Sequence, residues 1–252
     1  MVLVMVLGLA GSASAERWLV ERGRGAGLPA DDAWLPAAAE VVVRAKLSEL
    51  GGVTLLSKAD VKSDVVTLEL NRLSSAKGAT RVTLGKFARA RGLIVVDVTG
   101  TERRLTLRAI DLTRPDREQT FARAIDARSV DKGASDLALE AAAFLAHRIT
   151  PDERTRVGRP LKLNRDALVA VARGAAATSD AERDAFFKLA TQRAPNAAVA
   201  WYLHARALHA AGRTVEAISA YRRAIRLNGV QAVYHYDLGN AFFDEKRYVE
   251  AA

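Results

Sequence analysis

The C-terminal third of the chain aligns with itself. Trp201-Tyr-Leu-His-Ala205-Arg-Ala207-Leu208 falls on His235-Tyr-Asp-Leu-Gly239-Asn-Ala241-Phe242 at an offset of 34 residues, and the match resumes from Glu216-Ala217 to Glu250-Ala251. A period of this length means that one supersecondary unit is repeated, and that each unit must bury its apolar face against a neighbour. The first copy carries Trp201, Ala205, Leu208, Gly212, Ala217, Tyr221 and Ala224; the second carries Leu238, Gly239, Phe242, Tyr248 and Ala251. Small side chains at 205, 217, 224, 239 and 251 let two helices approach closely, and the large ones fill the space beside them. The register extends backwards. Pro195 stands opposite Gly229 at an inter-repeat turn, Phe187 and Ala190 take the places of Tyr221 and Ala224, and Ala167 to Ala177 reads as the first helix of a degenerate copy. The turn Ala177-Thr-Ser-Asp180 supplies an N-cap for the helix after it.

These residues resemble the tetratricopeptide repeat, with His204, Gly229 and Lys246 departing from the family's usual Leu, Pro and Gly. The copies are expected at about 163–197, 198–231 and 232–252. The resemblance implies an all-α solenoid of helical hairpins whose first helices line a concave, protein-binding surface. On that surface it places Tyr202, Arg206 and His209 from one copy, and Tyr236, Asn240 and Phe243 from the next. Each set recurs at steps of three or four, so its members share one helical face. Tyr and Arg suit interface anchors, the Asn240 amide suits a peptide backbone, and Arg206 suits a carboxylate. The opposing reading is that Tyr202 and Tyr236 pack against the adjacent repeat while Arg206 is solvated. The last copy stops at Ala252 inside its second helix. That predicts either a truncated product or self-association that covers Phe242, Phe243 and Tyr248.

Residues 16–150 read as a separate α/β or α+β domain. Arg17 to Glu21 is a short strand, and Gly23-x-Gly25-x-Gly27 a flexible loop. Asp31 and Asp32 are candidate N-caps for a helix over Trp34–Leu50 that stops at Gly51-Gly52. Val53–Leu56 is a strand, and Ser57-x-x-Asp60 opens a further helix to about Leu73. A helix from Val82 ends at Gly92, and Leu93–Asp97 is a buried strand. Arg104–Asp111 and Glu118–Ile125 alternate as antiparallel strands, and Ala134–Ile149 is amphipathic. The order predicts helices on a mixed sheet. The helix Trp34–Leu50, the strand Val53–Leu56, the Val82–Asp97 helix and strand, and the meander after them resemble the small α/β domain of TolB-like and CsgG-like proteins. In that resemblance the domain is a non-catalytic recognition or scaffold module.

Residues 1–15 are apolar and end in Ala13-x-Ala15, the shape of a secretory signal peptide, although no Lys or Arg precedes the apolar run. Export follows as the expectation, to the periplasm or beyond. Residues 151–162, with Pro151 and Gly158-Arg-Pro160, read as a linker. The chain has no cysteine, which excludes disulfides, thiol catalysis and Cys-ligated metals. Its net charge of +9 is dispersed among acidic residues, so no nucleic-acid partner is expected. Ser74-x-x-Lys77 and Ser129-x-x-Lys132 match a loose acyl-serine pattern without its companion motifs. The Gly23 to Gly27 spacing is not that of a dinucleotide loop. Asp180, Glu182 and Asp184 cluster at a helix start, where they complement the macrodipole. His204 and His209 are five apart and do not form an i,i+4 metal pair. No catalytic residue, cofactor or metal is assigned. The sequence is read as a secreted or periplasmic scaffold that binds a protein or peptide through its repeat groove. The alternative is an extracytoplasmic sensor whose α/β domain binds a small ligand.

Overall fold

The computed structural model describes residues 16–23, 25–56, 76–114, 116–126 and 130–251. The signal-peptide segment, the helix expected after Ser57, Ser74 and Ser129 lie outside the described residues. Strands β1 (Glu16–Arg22), β2 (Val53–Leu56), β3 (Gly92–Thr99), β4 (Arg104–Asp111) and β5 (Glu118–Ala124) form one mixed sheet in the order β2-β1-β3-β4-β5. β1 runs parallel to β2 and to β3, and β3-β4-β5 is an antiparallel meander. Parallel neighbours need a crossover, and helix α1 (Leu35–Leu47) supplies the one between β1 and β2.

The two-residue period of the strands divides the apolar side chains between the faces. Trp18, Val20, Ile94, Val96, Val98, Leu105, Leu107 and Ala109 join α1 and α3 (Asp131–Phe144) in the larger core. Leu19, Leu93 and Ile110 turn to the opposite face, where they pack with Leu56, Ala88, Ala90 and Leu112 beside α2 (Gly78–Phe87).

Three local expectations are corrected. Asp31 and Asp32 do not cap α1, which starts at Leu35 with no side-chain cap and Pro36 in its first turn. Pro fits there because the first-turn N–H groups have no intrahelical partner. Asp32 is instead buried and paired with Arg103 at 2.7 Å, while the Asp31 carbonyl accepts from Trp34 Nε1 at 2.9 Å. The glycine loop after β1 is tied along the end of β3. The Gly23 N–H donates to Val96 O at 2.6 Å, the Gly25 N–H donates to Asp97 Oδ1 at 2.8 Å, and Ala26 forms a bridge with Thr99. The span read as a linker contains helix α4 (Pro151–Gly158). Thr150-Pro-Asp-Glu153 builds a capping box: the Glu153 N–H donates to Thr150 Oγ1 at 3.2 Å, and the Thr150 N–H donates to Glu153 Oε2 at 2.7 Å.

Helices α5 (Arg165–Ala176), α6 (Asp180–Arg193), α7 (Ala198–Ala210), α8 (Thr214–Leu227), α9 (Ala232–Asp244) and α10 (Tyr248–Ala251) follow, and from α6 onward each packs on its predecessor. The ends of α6 and α8 are offset by 34 residues, and so are those of α7 and α9. Detail repeats at the same offset. Trp201 Nε1 donates to Pro195 O at 2.9 Å, and His235 Nε2 stands 2.9 Å from Gly229 O. The Arg213 N–H donates to Leu208 O and the Arg247 N–H to Phe242 O, both at 2.9 Å. Gly212 and Lys246 both take left-handed backbone at these turns, with φ of 75° and 59°. Phe242 does not lack neighbours: it is buried with Ala205, Leu208, Ala217, Ile218 and Tyr221, under the guanidinium groups of Arg222 and Arg247.

The sheet layer and the first hairpin share a core. Helix α1 packs on α5, and one buried cluster runs from Ile94 and Val96 through Ala38 and Val42 to Leu168, Val171 and Ala200.

Candidate functional site

Helices α7 and α9 carry the six residues that the sequence singles out, and the structure divides them into two sets. Tyr202, Arg206 and His209 face α9. The Tyr202 hydroxyl donates to Asp237 Oδ2 at 2.9 Å, and its ring stacks on Tyr234 with centroids 4.4 Å apart. Arg206 lies 3.9 Å from the same carboxylate, with its guanidinium 5.9 Å from the Tyr202 ring centroid. His209 Nε2 is 2.7 Å from Asp244 Oδ2, and its ring meets Tyr221 edge-on. The two carboxylates are seven residues, or two turns, apart on α9, so both point at α7.

The three tyrosines of this cluster are buried or half-buried, while Arg206 and Asp244 at its edge are exposed. Burial pushes the Tyr202 phenol up from 10; Arg206 pulls it back and Asp237 adds to the rise. Burial also raises Tyr221 and Tyr234. All three phenols therefore stay protonated across the physiological range, as hydrogen-bond donors and apolar surface. Aromatic pairs of this kind contribute ~0.5–1.5 kcal/mol beyond the area they bury.

Tyr236, Asn240 and Phe243 hold the corresponding positions one repeat later, on the opposite side of α9 from the contact with α7. Tyr236 is 69% exposed and Phe243 62% exposed, and Asn240 is exposed between them. The expected single groove of six residues is thus corrected. Helical periodicity places each trio on one face of its own helix, but the next helix engages Tyr202 and His209 of the first trio, while Arg206 beside them stays exposed. Val215, Val230 and Val249 are also exposed.

The face of the array nearest the sheet is covered as well. Helix α1 lies against α5, with Trp34 beneath the Arg165 guanidinium and the Lys46 ammonium donating to Arg159 O at 2.5 Å. Burial pulls Lys46 below its usual 10.5, and Asp131, 3.6 Å away, works against that. Glu49, just past α1, accepts from Asn228 Nδ2 at 2.9 Å, and its carbonyl accepts from Arg156. Glu153 Oε1 accepts from the Gly51 N–H at 2.6 Å and lies 3.2 Å from His147 Nε2.

Among the described residues, no three His, Asp or Glu side chains gather as metal ligands. Asp180 takes the first turn of α6 after its Ser179 cap, together with Glu182. Asp184 binds across helices, to His204 Nε2 at 2.9 Å and Arg213 Nη1 at 2.6 Å. Burial holds His204 below 6.5, with Asp184 opposing. The sequence reading missed Tyr234, Asp237, Asp244 and Glu49. The seven-residue spacing of the two aspartates was the available signal.

No family model matches the chain, and no curated protein matches it. Among solved structures, the LpoB C-terminal domain from Escherichia coli is similar at 14% identity and a TM-score of 0.28, covering 47% of this chain and 90% of that one. Among the described residues no helix is long and apolar enough to cross a membrane.

Proposed function

We propose that the chain is a non-catalytic scaffold or adaptor, exported to the periplasm or beyond, that binds partner proteins through a tetratricopeptide-like array attached to a TolB-like α/β domain. One observation carries this reading. Tyr202, Arg206 and His209 hold a helix through an aromatic stack and two carboxylates, and the same positions one repeat later, Tyr236, Asn240 and Phe243, face outward. The repeat detail supports the tetratricopeptide reading, since helix ends, turn conformations and the Trp201 and His235 anchors all recur at 34 residues. The signal-like segment 1–15 supports export.

The test uses exposed positions, because Tyr202→Ala would damage packing. Full-length protein and a Tyr236→Ala plus Phe243→Ala variant are used as bait in bacterial envelope extract, with circular dichroism to confirm equal folding. A defined partner enriched by the wild type and lost by at least tenfold with the variant is expected. Equal recovery by both proteins refutes binding through this face.

The sensor reading has one observation in its favour. The Glu49 bond to Asn228 and the continuous core give the α/β layer a direct mechanical link to the hairpins. A small molecule that raises the melting temperature through residues 16–150 would favour it.

A further inference from the structure

We infer that two copies of this chain join through β5, paired edge to edge and antiparallel about a two-fold axis at Phe121. The inference concerns the sheet and stands apart from the repeat array. Among the described strands, β5 ends the sheet and pairs with β4 alone. Its register against β4 is unbroken over Glu118–Ala124, with no bulge and no proline. Bulges, prolines and short length are the devices that usually keep an edge strand from pairing. All of its residues but Phe121 and Ala122 are exposed, and those two are half-buried.

The ladder fixes which backbone groups are left over. The Asp111 N–H donates to Arg117 O at 2.9 Å, and the Ile125 N–H donates to Arg103 O at 3.0 Å. Antiparallel pairs alternate, so the odd-numbered residues of β5 bond to β4, while Glu118, Thr120, Ala122 and Ala124 turn N–H and C=O away from it. The Ala122 carbonyl accepts from the Arg123 guanidinium at 3.2 Å. Among the described residues, the N–H groups of Thr120, Ala122 and Ala124 reach no backbone carbonyl.

A second β5 offers the same row in reverse. Even-numbered residues must bond to even-numbered residues, which permits the register centred on Phe121 and shifts of two residues from it. The centred register uses the whole strand. It sets Glu118 opposite the partner's Ala124, Gln119 opposite the partner's Arg123, Thr120 opposite the partner's Ala122, and Phe121 opposite the partner's Phe121. No like charges meet within the strand, Arg123 is already held by Glu140 of α3, and two half-buried phenyl rings come together. A shift of two residues one way sets Arg117 against the partner's Arg123, and a shift the other way sets Glu118 against the partner's Asp126. Both shifts also shorten the ladder. Asp116 does not carry the centred pairing on to the partner's Asp126, because it lies in the turn and accepts from the Gly78 N–H at 3.0 Å. Helix α3 lies over β4 and β5. With strands ~4.8 Å apart, it and the partner's α3 would stand about 10 Å apart, an ordinary distance for packed helices. The self-matched charges favour a second copy over an unrelated strand as the occupant of this edge.

The test uses the full chain, which has no cysteine of its own. Sedimentation over a concentration series is expected to show a monomer–dimer equilibrium. Thr120→Pro removes an N–H that β4 does not use. Two symmetric copies of that bond are lost, so the dimer is expected to weaken by roughly tenfold, with circular dichroism unchanged. Gln119→Cys with Arg123→Cys reads the register even if Thr120→Pro fails to fold. Mild oxidation is expected to give a disulfide-linked dimer in which mass spectrometry finds 119 joined to 123. Gln119→Cys alone is expected to stay largely unlinked, because the two copies of 119 are offset along the ladder. A wild type that stays monomeric overturns the inference and leaves this edge to a strand from elsewhere in the chain or from another protein. A dimer that a folded Thr120→Pro does not weaken overturns it, and so do cysteines that link 119 to 119 as readily as 119 to 123.

Discussion

Glu153 shows how one side chain can hold three stretches of chain. Burial alone would raise its carboxyl, but the Thr150 and Gly51 N–H groups, the Thr150 hydroxyl and His147 outweigh that and hold it down at about 2, from an ordinary 4.5. The sign of the linkage follows. A depressed carboxyl contributes stability that is fully present above 4.5 and is lost as pH falls from there towards 2. The contribution is on the order of 3 kcal/mol. Urea unfolding of the wild type between pH 7 and pH 3 is expected to show this loss, and Glu153→Gln to be less stable at pH 7 with a flatter acid limb. Parallel acid limbs in the two proteins would remove Glu153 from the account. Half of this arrangement was legible, since Thr150-Pro-Asp-Glu153 has the capping-box spacing inside a span that reads as linker. The other half was not, because the Gly51 donor lies 102 residues away and no local pattern records it.

Among the elements, the hairpins are the most legible part of the fold because their packing needs small residues at fixed intervals. Gly174 in α5 departs from that pattern, since it stands 34 residues before Leu208 and faces a large ring instead. A Cβ there would lie 2.6 Å from a ring atom of Phe187 on α6, well inside contact distance. Gly174→Ala is therefore expected to destabilise by about 1–3 kcal/mol through overpacking, despite alanine's better helix propensity. A urea midpoint equal to or above the wild type would show that Phe187 moves aside without cost. The periodicity has a limit. Tyr202 and Tyr236 hold the same position in the repeat, and the period alone does not tell which is covered. Coverage is decided by the following helix, which presents Asp237 to the first tyrosine. Each expected trio shares one face of its own helix, while the split between inner and outer sets is a tertiary property.

At the scale of the molecule, the α/β layer and the first hairpin, with the start of α7, share one hydrophobic core, and the later hairpins stack onto it. The sequence suggested two units and a linker, because each unit has its own period and proline and glycine lie between them. The structure fills that junction with α4, lays α1 on α5, and joins Glu49 to Asn228 across 179 residues. Leu168 of α5 is buried in the cluster that contains Val42, Val43 and Leu47 of α1. Leu168→Ala removes apolar contact from that shared cluster and is expected to cost about 2–5 kcal/mol. The consequence depends on coupling. Trp18 is fully buried and Trp34 partly buried in the sheet layer, so with Trp201→Phe as background, tryptophan fluorescence reports that layer alone. Far-UV circular dichroism reports mainly the helices of the array. A shared core requires both signals to shift to lower urea together, with coincident midpoints in parent and variant. If the dichroism midpoint falls while the fluorescence midpoint stays, the array unfolds independently, and the seam at α1 is a docking contact between two domains.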